Sequence, residues 1–336
     1  MSDPITLPER QPAPEISVVV PVYNEEAVLD KLFARLYSVL DGLNRRYEIV
    51  LIDDGSRDKS TALLRAQYQA RPDVTHVVLL RANAGQHAAI MAGFERARGR
   101  YVITLDADLQ NPPEDISKLL ERLDAGHDYV GSVRRRRHDA RWRHFASRAM
   151  NQLREQITNI HMTDQGCMLR AYHRDIVDAL LASNESQTFI PALAYLYAAN
   201  PTEVVVEHCE RAAGASKYSP FKLVQLNFDL ITSFSMLPLQ VFSLLGMAIS
   251  GLSLLFVFYL FMRRLFLGPE VEGVFTLFAI AFFMIGLLLF AVGILGEYVG
   301  RIYTEVRKRP RYLVLASLSP IQTEKTQPKR SHKHAL

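Results

Sequence analysis

Cys167 and Cys209 are the only cysteines in 336 residues, which leaves no disulfide framework and no thiolates spaced for a metal. Reduced thiols in a cytosolic setting are the expectation. The chain also lacks a Gly-x-Gly-x-x-Gly and a Gly-x-x-x-x-Gly-Lys-Ser/Thr, so neither a dinucleotide fingerprint nor a P-loop is present. A net charge of +4 is mild and gives no reason to expect nucleic acid as a partner. Residues 1–15 carry prolines and charges but no apolar core, so no secretory signal is expected in that tail.

Two further absences are local. No Asp, Glu, Lys or Arg occurs between Asp229 and Arg263, and none between Glu272 and Glu297. Each gap exceeds the roughly 20 apolar residues a membrane-spanning helix needs. Two buried soluble helices are the alternative, but such runs side by side favour a transmembrane hairpin, with spans at 236–262 and 274–296. Arg301 to Arg311 carries five positive residues against Glu305, whereas the short connection holds Arg263, Arg264, Glu270 and Glu272. That bias predicts a multi-pass membrane protein with both termini and the preceding domain cytoplasmic. Before the first span, Lys222, Gln225, Asp229 and Thr232 recur at helical spacing, which suits an interfacial segment over 213–235. Residues 297–319 read as a basic cytoplasmic segment and 320–336 as a disordered tail.

What is present upstream is alternation. Residues 16–22, 47–52, 74–80, 101–105 and, more weakly, 129–133 are β-branched apolar runs. Between them, Leu29, Leu32, Phe33, Leu36, Val39 and Leu40 follow helical spacing, as do Ala89, Ile90, Gly93, Phe94 and Ala97. The pattern predicts an α/β domain over 16–212 around a mostly parallel, doubly wound sheet. In such sheets ligands sit beyond the carboxyl ends of the strands. Polar residues gather at four of those ends: Pro21, Tyr23, Asn24 and Glu25; Asp53, Asp54, Gly55 and Ser56; Asn83, Gly85 and Gln86; and Asp106, Ala107, Asp108 and Gln110.

The last group carries the most chemistry. Asp106 and Asp108 offer hard carboxylate oxygens and Gln110 a carbonyl, a set suited to Mg²⁺ or Mn²⁺ bridging a diphosphate. An EF-hand beginning at Asp106 would need Gly at 111 and Glu at 117, where the chain has Asn111 and Ser117. A solvated acidic turn is the plain alternative for an isolated Asp-x-Asp. Asp53 could accept from a uracil N–H or a ribose hydroxyl and Tyr23 could pack on the base, although Asp54-Gly55-Ser56 alone also reads as a turn with a helix cap. Asp164 is either a turn residue or a carboxylate near a sugar. The arginine-rich stretch from Arg134 to Arg148 is either a solvated face or, beside a membrane, a phosphate-binding one. Arg211, Ser216 and Lys217 form a second candidate phosphate-holding loop.

Val19 to Glu25, Ile52 to Ser56 and Leu105 to Gln110, taken together, resemble the glycosyltransferase family 2 pattern on the GT-A fold. With two apolar helices attached, the chain is similar to the polyprenyl-phosphate glycosyltransferases of that family. Gly85 to Phe94, Gly166 to Tyr172 and Leu295 to Tyr303 sharpen the likeness toward members that use undecaprenyl phosphate. The resemblance implies inverting transfer from a UDP-sugar to undecaprenyl phosphate, in lipid A modification and resistance to cationic peptides such as polymyxin. It places the metal on Asp106, Asp108 and Gln110, and the nucleotide sugar on Pro21, Tyr23, Asn24, Glu25, Asp53, Asp54, Asn83, Gly85, Gln86, Asp106, Ala107 and Asp108. Asp108 and Asp164 become the catalytic candidates, and Arg134, Arg137, Arg211, Ser216 and Lys217 the lipid-phosphate candidates. It also implies the bacterial inner (cytoplasmic) membrane as its location, contact with membrane lipids and a homo-oligomer, a tetramer. Three alternatives remain: a gluco- or mannosyltransferase onto the same kind of lipid, a processive synthase, which the missing Gln-x-x-Arg-Trp opposes, and a non-catalytic nucleotide-sugar-binding scaffold.

Overall fold

The computed structural model describes residues 13–134, 162–164, 166–183, 189–207, 237–267, 274–307 and 310–319. The predicted segments at 213–235 and 320–336 lie outside them. The five β-branched runs form β1 (Ile16–Val22), β2 (Tyr47–Asp53), β3 (Thr75–Leu80), β4 (Tyr101–Thr104) and β5 (Tyr129–Arg134). The connections supply α1 (Leu29–Gly42), α2 (Ser60–Ala70), α3 (Gln86–Phe94) and α4 (Ile116–Asp124). Pro113 opens a short 3₁₀ turn ahead of α4, where a fixed φ and a missing N–H do no harm.

Three strands go beyond the five runs. β6 (Arg170–His173) and β7 (Pro201–Val206) enclose α5 (Arg174–Ala182) and α6 (Ile190–Tyr197). β8 (Val314–Leu318) follows two long helices, α7 (Leu237–Leu267) and α8 (Val274–Val306). The sheet order is β7-β5-β6-β4-β1-β2-β3-β8. β1 pairs in parallel with β2 and β4, β2 with β3, and β5 with β7, whereas β6 and β8 run antiparallel to their neighbours. The result is a GT-A-like α/β fold with a mostly parallel sheet.

Period-two alternation sends side chains to both faces. Val18, Val20, Ile49 and Leu51 join α1, α2 and α4 in one apolar layer, and Val19, Val50 and Ile52 join α3, α5 and α6 in the other. Gly93 lets α3 lie close against the second face, since a Cβ there would sit 2.4 Å from Val19 Cγ1. Successive crossovers carry the chain from β1 through β2 to β3, and then back to β4 on the other side of β1. The strand order therefore reverses at β1 and β4, the kind of switch point beyond whose strand ends ligands bind in such sheets.

The helices α7 and α8 touch each other and run past the spans read from the sequence, to Leu267 and Val306. In α8 the window 283–300 has a mean hydropathy of 2.0 and is long and apolar enough to cross a membrane; only 12% of it is buried within the protein, so it is not a core helix.

Candidate active site

Four strand-end loops are tied to one another by side chains. The Asn24 N–H donates to Ser56 Oγ (3.0 Å), the Glu25 N–H to Ser60 Oγ (2.9 Å), and the Arg57 N–H to Asn24 Oδ1 (2.8 Å), which joins the loop after β1 to the loop after β2. Asn24 takes a left-handed φ of 56°, a conformation its short amide side chain tolerates. Gly55, with φ of 72°, could not be replaced for a second reason: a Cβ there would lie 2.7 Å from the Ala82 carbonyl carbon and the Asn83 nitrogen.

Asp53 and Asp54 are both buried. Asp53 accepts from the Ser56 N–H (2.9 Å) and from Thr61 Oγ1. Asp54 accepts from the Ala84 N–H (2.7 Å) and the Gly85 N–H (3.0 Å), clamping the loop after β3. Burial raises the Asp54 carboxyl, and those two N–H groups only partly oppose it. Its position is thus that of a loop clamp. The clamp delivers Gln86, whose Nε2 donates to Asp106 Oδ1 at 2.5 Å. Tyr23 is left exposed and Pro21 half-buried within β1, while Asn83 is exposed and Ala107 buried.

Asp106, Asp108 and Gln110 are half-buried together at the end of β4. Burial and the neighbouring Asp108 carboxylate push the Asp106 carboxyl up to about 7. Asp108 accepts from the Gln110 N–H at 3.1 Å across Leu109, whose φ of 58° is unusual for a bulky residue and marks backbone strain between the candidate ligands. The donor chemistry fits a hard divalent cation, because two half-buried carboxylates, one raised by the charge of the other, are the environment such a charge relieves. Among the described residues there is no group of three or more His, Cys, Asp or Glu that could form an all-protein cage. Gln110, the bound substrate and water would complete the shell.

Asp164, a catalytic candidate by resemblance, is engaged by Arg134 and by its own loop. Its carboxylate accepts from Arg134 Nε (2.6 Å) and Nη2 (2.9 Å) and from the Gly166 N–H (3.0 Å). Burial alone would raise this carboxyl, but the Arg134 pair outweighs it and the net shift is downward. A carboxylate held so is a poor base near neutral pH. It aims Arg134 instead, and the guanidinium charge is felt at Asp106. The other lipid-phosphate candidates, Arg137, Arg211, Ser216 and Lys217, lie outside the described residues.

Arg170 was not foreseen. It is fully buried, and it donates from Nε to the Cys167 carbonyl (2.7 Å), from Nη2 to the Asp164 carbonyl (2.7 Å) and from Nη1 to the Tyr129 hydroxyl. It fixes the loop that carries Asp164. Only its place in the stretch from Gly166 to Tyr172 hinted at it, because a single Arg among apolar residues does not announce burial.

Comparison with known proteins adds the following. Residues 17–181 match the family described as Glycosyl transferase family 2. The undecaprenyl-phosphate 4-deoxy-4-formamido-L-arabinose transferase of Aeromonas hydrophila subsp. hydrophila is 48% identical over 318 residues, covering 93% of this chain and 98% of that one. The protein of the same name from Shewanella sediminis is 49% identical over 303 residues, covering 89% and 91%. The crystal structure of glucosyl-3-phosphoglycerate synthase from Mycobacterium tuberculosis in complex with uridine-diphosphate aligns with a TM-score of 0.45 at 18% identity, over 66% of this chain and 79% of that one, a likeness too weak to bear on the site.

Proposed function

The chain belongs to glycosyltransferase family 2, and we propose on that premise that it transfers 4-deoxy-4-formamido-L-arabinose from its UDP donor to undecaprenyl phosphate. The observation that carries this reading is the crowded Asp106–Asp108 pair, tied through Gln86, Asp54 and Asn24 to every loop at the switch point. The sugar and the lipid come from the relatives' names, and their near full-length coverage supports carrying both across.

Asp106, Asp108 and Gln110 would hold Mg²⁺ or Mn²⁺. When bound, the ion supplies positive charge against the diphosphate leaving group. A lipid phosphate is already anionic near neutral pH, so its oxygen can attack the anomeric carbon without a protein base. As that bond forms, the bond from carbon to UDP oxygen breaks, and in-line attack inverts the configuration. The depressed Asp164 carboxyl agrees with a reaction that needs no proton acceptor there. Arg134 would then offset repulsion between an acidic donor pocket and an anionic acceptor, with Arg137, Arg211, Ser216 and Lys217 as further phosphate contacts. Asn24, Glu25, Asp53 and Asn83 would line the nucleotide side, and Tyr23 would face the base.

The membrane placement draws on β8. β7 ends at Val206 and β8 begins at Val314, and both strands lie in the same sheet. A segment that leaves a domain and returns to it crosses a bilayer an even number of times. We therefore take α7 and α8 as a hairpin, with the catalytic domain and both ends of the helix pair on the cytoplasmic side. A homo-oligomer, a tetramer by resemblance, completes the proposal.

The test is a transfer assay with purified protein, undecaprenyl phosphate, Mg²⁺ or Mn²⁺ and a panel of UDP- and GDP-sugars. Preferential transfer of the formamido sugar is expected. Transfer of glucose or mannose would sink the sugar assignment, and silence across the panel would restore the scaffold alternative.

A further inference from the structure

His87 has no role in the account above, yet it occupies the first turn of α3, directly after the Gln86 that reaches Asp106. One residue along a helix turns the side chain by about 100°. Gln86 contacts the end of β4, and the His87 imidazole meets Phe189, at the start of α6, edge-on with ring centroids 5.3 Å apart. Arg170, at the start of β6, is close enough to act on it electrostatically. Thr104 and Arg170 are register partners across β4 and β6, so this corner adjoins the Asp-x-Asp loop.

The His87 Nδ1 is buried and, among the described residues, has no hydrogen-bond partner. A ring whose only task was to pack against Phe189 would be better served by Phe, Leu or Met, which carry no polar atom to desolvate. Burial, with help from the Arg170 charge, lowers the imidazole to about 4, so it is neutral near pH 7. A neutral ring has one donor and one acceptor nitrogen. That pair suits hydroxyl and amide groups, and it suits a diphosphate poorly.

We propose that His87 reads the donor sugar, its Nδ1 hydrogen-bonding a hydroxyl or acylamino substituent of the ring while Phe189 packs on the ring's apolar face. This rests on the transfer reaction proposed above, in which the diphosphate lies at Asp106 and Asp108. The sugar bonded to that diphosphate then extends over the junction of β4 and β6, toward the wall formed by His87 and Phe189. Phe189 is half-buried and lies edge-on to the imidazole, so the two rings share one wall.

The experiment compares wild type, His87→Phe and His87→Asn in the full-length protein. It measures kcat/KM for the UDP-sugar, inhibition by UDP with Mg²⁺, the acceptor KM and thermal stability. His87→Phe should lower kcat/KM for the donor at least tenfold, with the UDP inhibition constant and acceptor KM within twofold of wild type. His87→Asn, which keeps a polar group near Nδ1, should recover part of the loss. The proposal is overturned if His87→Phe turns over like wild type, which would mean water satisfies Nδ1. It is also overturned if UDP inhibition weakens in parallel, or if both variants lose activity and stability together. A wild-type protein that transfers no sugar would sink the reaction and this inference with it; failure confined to the His87 variants would sink only the inference.

Discussion

At the amino ends of the strands, Glu48 is buried and accepts hydrogen bonds from Ser17 Oγ (2.6 Å), the Arg98 N–H (2.6 Å), Arg98 Nε (3.0 Å) and Arg98 Nη2 (2.9 Å), with His76 Nε2 at 3.1 Å. Burial alone would raise its carboxyl, yet these partners outweigh the burial and bring it down to about 2. At the carboxyl ends of the same sheet, Asp106 accepts from Gln86 Nε2, faces Asp108 and is pushed up to about 7. Two carboxylates in one domain are shifted in opposite directions. The first has been given every partner it needs, and the second is kept in a state that a bound cation and substrate would relieve. Stability is concentrated at one end of the sheet and strain at the other.

The comparison can be broken at either end. Asp108→Ala should reduce transfer by about 10³-fold or more, the scale of losing a principal electrostatic contact, while leaving a folded, membrane-inserted protein; wild-type turnover would remove the metal role. Glu48→Gln should leave turnover per folded molecule unchanged and cost on the order of 3 kcal/mol of stability, since Arg98 and His76 lose their charged partner. Chemical denaturation checks this, and a shift under about 0.5 kcal/mol would mean the network is dispensable. Asp164→Asn should lower acceptor kcat/KM by roughly tenfold through loss of the charge that aims Arg134, about 1.4 kcal/mol. A loss as deep as that of Asp108→Ala would instead make Asp164 a proton acceptor in the reaction.

A further way to separate the two ends is pH. Asp106 has a folded carboxyl raised from 3.8 to about 7, so the folded state holds a proton that the unfolded state has released. Metal-free protein should therefore lose stability as pH rises from about 4 to about 7. Glu48 has the opposite sign: its contribution is present above about 4.5 and lost as pH falls toward 2. Thermal melts of wild type, Asp106→Asn and Glu48→Gln separate the two windows. The higher window should vanish in Asp106→Asn and flatten in wild type when Mg²⁺ or Mn²⁺ is added; persistence in the Asn variant would assign it to another group.

Much of this site was legible in the chain because its chemistry is local. The β-branched runs at β1 to β4 are followed within a few residues by Asn24, Asp53, Gln86 and Asp106, and a parallel sheet brings strand ends together without further information. β8 was not legible: residues 314–318 read as the end of a basic segment, and their partner β3 lies more than two hundred residues earlier. Neither could Asp54 be recognised as a clamp, because its acceptors' partners, the N–H groups of Ala84 and Gly85, are reached only after β3 folds alongside β2.

The sequence by itself determined the alternating α/β framework, the two long apolar helices and the carboxylates at the crevice, because hydrophobic period and strand-end chemistry act over a few residues. Only the tertiary structure decided that Asp164 holds Arg134, that Arg170 is buried beneath their loop, that the His87 Nδ1 has no partner among the described residues, and that β8 returns the chain to the sheet. Each of those depends on which distant groups share a desolvated space, and burial and partnership of that kind are set by packing.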